Sequence, residues 1–237
     1  TDDAALTRAV LHSAQTLGAT VKLPAEFLHA TLLPETCSVR YAHANTTHEI
    51  TTRILINAAG PWVTDILKKV TPLPFIPAVE LVQGAHIIVE GTTHRGIYYV
   101  EAPRDRRAVF VMPWQNHTLI GTTETQYEGN PAAVQALPQE IDYLLETYRH
   151  YFPTAPDITV RESFAGLRVL PRADGSVFHR PRETLLLSDN DKQPRLVSVV
   201  GGKLTAYRAT AEKVLKQIAP ALPLRHAIAN TRTLRMP

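Results

Sequence analysis

The chain has 237 residues, 44% of them hydrophobic and 20% charged, with a formal net charge of +3. This composition excludes a disordered or collagen-like chain, and no apolar run approaches the roughly 20 residues that span a bilayer. A single cysteine, Cys37, excludes an internal disulfide framework and fits a reducing compartment, and no secretory signal pattern opens the chain.

Asp2 or Asp3 is placed to cap a first helix, with Leu6, Val10, Ala14 and Leu17 at helical spacing and Gly18 at its end. Three short runs follow, Thr20–Leu23, Phe27–Leu33 and Cys37–Ala42, with turns at Pro24, Pro34-Glu35-Thr36 and Asn45-Thr46. They predict small antiparallel strands. Ile54-Leu55-Ile56-Asn57 predicts a buried strand, which Ala58-Ala59-Gly60-Pro61-Trp62 stops. Pro61, at a first helical position, predicts a helix to about Val70.

Pro72, Pro74 and Pro77 make a stiff crossover and a candidate domain boundary. Beyond it, Val79–Glu90, Ile97–Glu101, Ala108–Pro113 and Thr118–Thr123 predict a meander, with turns at Gly91-Thr92, Arg104-Asp105 and Gln115-Asn116. Pro138 starts a helix with Ile141, Leu144, Leu145 and Tyr148 on one face, and Ile158–Arg168 predicts another strand. A loop rich in Pro, Arg and Gly occupies 171–183. Leu185–Leu187 and Leu196–Val200 predict the last strands, before a helix from about Lys203 to Ala219. The expected fold class is mixed, α+β or α/β. The expected domains are an α/β segment over 1–72, an antiparallel segment over 73–183, and a return to α/β character over 184–237. The two α/β pieces need not be neighbours in sequence to form one domain, and the expected arrangement is one such domain with the antiparallel sheet inserted.

Several catalytic signatures are absent. There is no GxSxG elbow, no Walker-type phosphate loop, no HExxH or CxxC spacing and no GxGxxG turn. The ten histidines therefore suggest no metal site, and His43, His48, His94 and His150 fall in predicted loops or at element ends. The most informative stretch is VSVVGGKLTAYRATAE, residues 197–212. A β-branched run passes through Gly201-Gly202 into a helical pattern that carries Lys203, Thr205, Tyr207 and Arg208. Such a turn aims backbone N–H groups and the positive end of a helix at an anion or cofactor. Residues 161–208 hold nine Lys or Arg against five acids, so the positive charge gathers around this turn. That suits a small anionic ligand better than a nucleic acid, which asks for a broader stripe with interleaved aromatics.

INAAGPW at 56–62, VQGAHIIVE at 82–90, IGTTET at 120–125, FAGLRVLPRADG at 164–175 and the Gly-Gly-Lys-Leu-Thr turn occur in that order. Together they resemble the FAD-dependent glycerol-3-phosphate dehydrogenases, the flavin branch of the D-amino-acid-oxidase-like superfamily. The family pattern reads N-A-[TA]-G-P-W, K-G-[SA]-H, I-G-T-T-[DE], A-G-[LV]-R-P-L and G-G-K-L-T-T-Y-R. Three departures stand out: Gln83 for the lysine, Val169 for the proline with Pro171 two residues later, and Ala206 for the second threonine. The first is expected to weaken an anion contact and the other two to change packing. Members of this family begin with a strand, a GxGxxG turn and a helix upstream of the matched region, and carry a further helical region after it. The chain thus reads as the middle of such a protein: the latter part of the flavin domain and most of the substrate domain. By itself it is expected to bind FAD weakly or not at all and to be inactive.

The resemblance implies oxidation of sn-glycerol 3-phosphate to dihydroxyacetone phosphate, with FAD as cofactor and quinone as the electron acceptor. It implies a cytoplasmic protein, peripheral on the inner face of the cytoplasmic membrane. Nucleic acid is not an expected partner. The implied cofactor-binding residues are Ala58, Ala59, Gly60 and Trp62, beside the adenosine half of FAD, and Gly201, Gly202, Lys203, Leu204 and Thr205, which offer N–H groups to the reduced ring. Lys203 lies against the helix dipole, an unfavourable place for a cation without a functional reason. Arg168 stands between Leu167 and Val169 in a predicted strand, where an arginine is costly to bury without a partner, and its fork suits a phosphate. His86 alternates with apolar neighbours and is the candidate proton acceptor. His86, Arg168 and Lys203 are thus the candidate catalytic residues. Thr122 and Thr123 are candidates for lining the site. An amine or 2-hydroxy-acid oxidase of the same superfamily and a non-catalytic module derived from the fold remain as alternatives.

Overall fold

The computed structural model describes residues 2–93, 95–153, 158–172, 183–224 and 226–235. The elements in chain order are α1 (Asp3–Thr16), β1 (Ala25–Leu32), β2 (Cys37–His43), β3 (Thr46–Thr52), β4 (Leu55–Asn57), α2 (Val63–Leu67) and β5 (Val70–Thr71). Then follow β6 (Val79–Val89), β7 (Tyr98–Glu101), β8 (Ala108–Trp114), β9 (His117–Gly121), β10 (Thr125–Tyr127), α3 (Pro138–Tyr151) and β11 (Val160–Pro171). The chain closes with β12 (Thr184–Ser188), β13 (Leu196–Gly201) and α4 (Tyr207–Ile218). Contacts divide it into two units, Thr1–Pro77 with Ala173–Pro237, and Ala78–Arg172.

In the first unit, the Asp2 carboxylate accepts from Ala5 N at 2.8 Å and caps α1. A sheet of order β3-β2-β1-β5 is antiparallel except for the β1–β5 pair. Thr20–Leu23 forms no strand; the third strand is β3, which follows a two-residue turn at Ala44-Asn45 with φ of 50° and 60°. Two left-handed residues in a row match the natural twist of a hairpin. The polar composition of Thr46–Thr52 hid this strand from a reading based on apolar runs. Ala30, Cys37, Val39, Leu67, Val70 and Leu196 form its core.

The second sheet of this unit has the order β12-β13-β4, with β13 and β4 parallel. Val197 packs against Val214 and Ile218 of α4. The expected helix from Pro61 to Val70 is shorter than its proline start implied. A 3-10 turn over Gly60–Trp62 leads into α2, which stops at Leu67, and Val70 pairs with β1. β4 is also less buried than an apolar run implied, with Ile56 44% exposed. Asp189 closes the β12–β13 loop: its carboxylate accepts from the N–H groups of Arg195 and Leu196 at 2.8 Å and pairs with the Arg195 guanidinium at 2.9 Å. That guanidinium also donates to the Leu33 carbonyl, tying the loop to the β1–β2 turn.

The second unit is built around β6. β11 pairs along one edge of it, and β9 and β10 share the other. β8 and β7 extend the sheet beyond β9. Ile87, Val89, Val109, Val111 and Ile120 pack against Leu144 and Tyr148 of α3 on one face, the core that the helical spacing of α3 requires. Each such side chain contributes about 2 kcal/mol by leaving water. The strand β10, which the sequence reading left out, is only three residues long. The loop expected at 171–183 falls mostly on residues outside the described set.

Candidate functional site

In the second unit, the face of the β6-centred sheet away from α3 carries the candidate chemistry. Residues paired across antiparallel strands share a face. One cross-strand row therefore runs Tyr99, Phe110, Gly121, His86 and Phe164. The His86 ring stacks on Phe164, with centroids 5.1 Å apart and planes 7° from parallel. A Cβ on Gly121 would fall 2.1 Å from His86 Cδ2, so the imidazole takes its place only because β9 ends in glycine.

The neighbouring row holds Gly84 and Gly166, and the next one Val82 and Arg168. The Arg168 head reaches back over Gly84: a Cβ there would lie 3.1 Å from its Nη2 and 2.5 Å from Thr122 Oγ1. Arg168 Nη1 donates to Glu124 Oε1 at 3.4 Å. The structure thus brings His86 and Arg168 onto one face, two rows apart along the strands, with the Arg168 guanidinium reaching into the row next to the imidazole.

Thr122 and Glu124 reach this face through an irregular edge. Gly121 pairs with His86 and Thr125 with Gln83, so four steps on one strand oppose three on β6. This is the signature of a β-bulge, which re-aims side chains. Thr123 points the other way and takes over a ladder position, accepting from Ala85 N at 2.8 Å. It donates to Glu140 Oε1 at 2.7 Å, and Thr125 does the same at 2.8 Å. Glu140, only 3% exposed, also accepts from Gln83 Nε2 and from Leu137 N. The Glu124 carbonyl accepts from Arg107 at 3.1 Å, and Arg107 pairs with Asp105, which accepts from the Tyr143 hydroxyl at 2.8 Å. Burial, and then the bond to Asp105, push the Tyr143 hydroxyl well above the ordinary phenol range, so it remains a donor.

Gln83 corrects an expectation. It is buried, 1% exposed, on the α3 side of the sheet, and donates to Glu140 and to the Gln135 carbonyl. It does not reach the face that carries Arg168, so its exchange for a lysine changes no anion contact there. Thr123 likewise lines the α3 side rather than the site.

The remaining candidates lie in the first unit. β13 ends in Gly201 and Gly202, with φ of 74° and 93°. A Cβ on Gly202 would fall 2.5 Å from Thr184 Oγ1. The helix does not begin at once. Lys203 is extended, a 3-10 turn covers Leu204–Ala206, and α4 starts at Tyr207. Lys203 is therefore the cap residue, and no side chain caps this start among the described residues. The residues from Gly202 to Thr205 are exposed.

β4 and β13 run parallel, with Asn57 paired to Ser198. Ala58, Ala59, Gly60 and Trp62 therefore follow the carboxyl end of one strand, and Gly201–Thr205 that of its neighbour, the position where open α/β sheets take ligands. Buried Asn57 braces the first turn, donating to the Val63 carbonyl at 2.9 Å and accepting from Ala59 N at 3.3 Å. Uncapped N–H groups beside a glycine turn fit an anionic or polarised cofactor group.

The chain matches the family described as FAD dependent oxidoreductase over residues 1–208. It belongs to that family. The glycerol-3-phosphate dehydrogenase of Pseudomonas aeruginosa is 40% identical over 183 residues, covering 73% of this chain and 35% of that protein. The aerobic glycerol-3-phosphate dehydrogenase of Escherichia coli is 36% identical over 174 residues, covering 71% and 34%. Among solved structures, the glycerol-3-phosphate dehydrogenase from Bacillus halodurans complexed with FAD superposes with a TM-score of 0.79 at 30% identity, covering 92% of this chain and 43% of that one. The chain thus spans about a third of the length of these two curated relatives. Its mixed architecture is that of FAD-dependent oxidoreductases.

Glu124, Phe164 and Glu140 were not singled out by the sequence reading. Glu124 and Phe164 lie inside recognised motifs, but only strand register shows which face each serves. Glu140 had a signal of its own: an acid at the third position of a proline-started helix is placed to satisfy the N–H before that proline.

Proposed function

We propose that this chain is part of a FAD-dependent dehydrogenase that oxidises sn-glycerol 3-phosphate to dihydroxyacetone phosphate. The supporting observation is the placing of the Arg168 guanidinium and the His86 imidazole in adjacent rows of one glycine-floored sheet face. Arg168, half-buried and anchored by Glu124, holds the phosphate with its fork. His86, held flat by Phe164, accepts the proton of the C2 hydroxyl. Phe164 and Phe110 give that end of the face an apolar lining.

Bound FAD supplies the acceptor for the hydride that leaves C2. The residues that hold it are those after β4 and β13: Ala58, Ala59, Gly60 and Trp62 on one turn, and Gly201, Gly202, Lys203, Leu204 and Thr205 on the other. The N–H groups from Gly202 to Thr205 and the Lys203 ammonium favour negative charge on the ring. Quinone as the electron acceptor and a peripheral seat on the inner face of the cytoplasmic membrane extend the reading. No helix among the described residues is long and apolar enough to cross a membrane.

The test is anaerobic addition of glycerol 3-phosphate to the flavin-loaded protein that contains this chain. Bleaching of the oxidised flavin band supports the reading. A band that stays oxidised, while an amine or a 2-hydroxy acid bleaches it, would replace the substrate. A protein without flavin would favour a non-catalytic module.

A further inference from the structure

Gly166 lies in the interior of β11, a 12-residue strand, and it is exposed. A glycine in a strand interior weakens it, because it loses more backbone freedom than other residues and packs nothing. Gly84, Gly121 and Gly202 have a cause within the molecule, since a Cβ on each would collide with Thr122, His86 or Thr184. Gly166 has none of this kind. Its φ lies outside the left-handed range, and among the described residues a Cβ there meets no atom within 4 Å. The β11–β6 register runs unbroken through this position, so no bulge explains the glycine, and close approach of another group to the backbone is the remaining common use of a strand glycine.

We infer that the carbon chain of the substrate lies directly on the backbone at Gly166, which makes this residue the specificity-determining floor of the site. The inference rests on the glycerol 3-phosphate reading above and adds the position that sets the width of the substrate. Phe164, Gly166 and Arg168 point to the same face at two-residue intervals of about 6.8 Å. The Arg168 head is drawn back into the Gly84–Gly166 row, while His86 and Phe164 stand in the next one. A phosphate on the guanidinium therefore sits beside Gly166. The carbinol must lie one row further on, a span that an unbranched three-carbon phosphate ester covers. Any side chain at 166 would fill the gap between the two ends. The class selected is a slim polyol phosphate.

The test compares the flavin-loaded protein that contains this chain with its Gly166→Ala variant. Anaerobic flavin reduction is followed against glycerol 3-phosphate concentration, and inorganic phosphate is titrated as a competitor. In Gly166→Ala the half-saturating concentration should rise by about tenfold or more, the scale of one methyl group in a fitted pocket. Inorganic phosphate, which needs only the Arg168 end, should keep its inhibition constant within about twofold, and flavin content should not change. An unchanged half-saturation overturns the inference and leaves the glycerol 3-phosphate reading standing. Equal weakening of substrate and inorganic phosphate also overturns it, since that would mean a disturbed Arg168. A variant that does not fold contradicts the open space on which the inference is built. Failure of the unsubstituted protein to be reduced by glycerol 3-phosphate removes both.

Discussion

The Arg168 guanidinium and the Glu124 carboxylate meet across β6, above Gly84, at 3.4 Å. One partner stands on the edge strand β11 and the other on the bulge beyond β6, so their ion pair crosses the floor of the site. Glu124 thereby fixes the direction in which the fork points. Arg168→Ala should raise KM for glycerol 3-phosphate by about 10- to 150-fold, the worth of a charged hydrogen bond. Glu124→Gln, which keeps the shape but not the charge, should raise it by a smaller factor of about five to ten. Steady-state kinetics of the flavin-loaded protein decide this, and near-wild-type values for Arg168→Ala would remove its assignment.

His86 is expected to affect turnover rather than affinity. His86→Asn should lower kcat by about 10²- to 10⁴-fold, the range of a general base, with KM little changed. Gly121→Ala should act in the same direction while leaving residue 86 a histidine, because its Cβ would take the space of His86 Cδ2 and displace the ring. A Gly121→Ala enzyme of unchanged kcat would show that the ring position is not needed.

On the opposite face, Glu140 accepts from four neutral donors. Glu140→Ala would leave buried donors unmatched, and a loss of about 3 kcal/mol in urea unfolding is expected. Gln83→Lys, which restores the residue of the resembled motif, should leave KM within about twofold, because position 83 faces α3. A large change in KM would place Gln83 at the substrate after all.

Gly202→Ala forces a left-handed backbone on a residue with a side chain and drives its Cβ into Thr184. It should cost about 2–3 kcal/mol and weaken flavin retention. Adding Thr184→Ala should return part of the loss. Thermal unfolding of the two single variants and the double variant measures this coupling, and strict additivity would count against the contact.

Burial pushes the Cys37 thiol above its ordinary value of 9.0; Asp189 adds to this and Arg195 opposes it. The folded chain therefore holds this proton more tightly than the unfolded chain. The contribution of this thiol to stability should be constant below about pH 8 and be lost as pH rises past 9, where the unfolded thiol ionises first. Cys37→Ala should flatten that alkaline limb, and iodoacetamide should label Cys37 only in denaturant.

The meander and α3 were legible in the sequence because turn residues bound each strand and the helix repeats its apolar positions at 3.6. The facing of β6 was not. Positions 82–85 and 87–89 are all buried, so no alternation of polar and apolar residues separates the two sides. That is why Gln83 and His86 read alike, although one faces α3 and the other the open side. The start of α4 was misplaced for a different reason. Two left-handed glycines and an extended Lys203 leave no trace in a pattern of apolar spacing. The site residues His86 and Arg168 came from motif resemblance, whereas Glu124, Gly166 and Phe164 took on meaning only once strand pairing was known.

Between Gly121 and Thr125 the edge of β6 carries one residue more than a regular ladder holds. A regular ladder would give the open face one side chain from this stretch; the bulge gives it two, Thr122 and Glu124, while Thr123 still serves α3. Loops between strands ordinarily tolerate changes in length. This one cannot: deleting a single residue would leave room for only one of Thr122 and Glu124, and inserting one would shift Thr125 away from Glu140. The spacing of IGTTET is therefore under a tighter constraint than the identity of most residues in it.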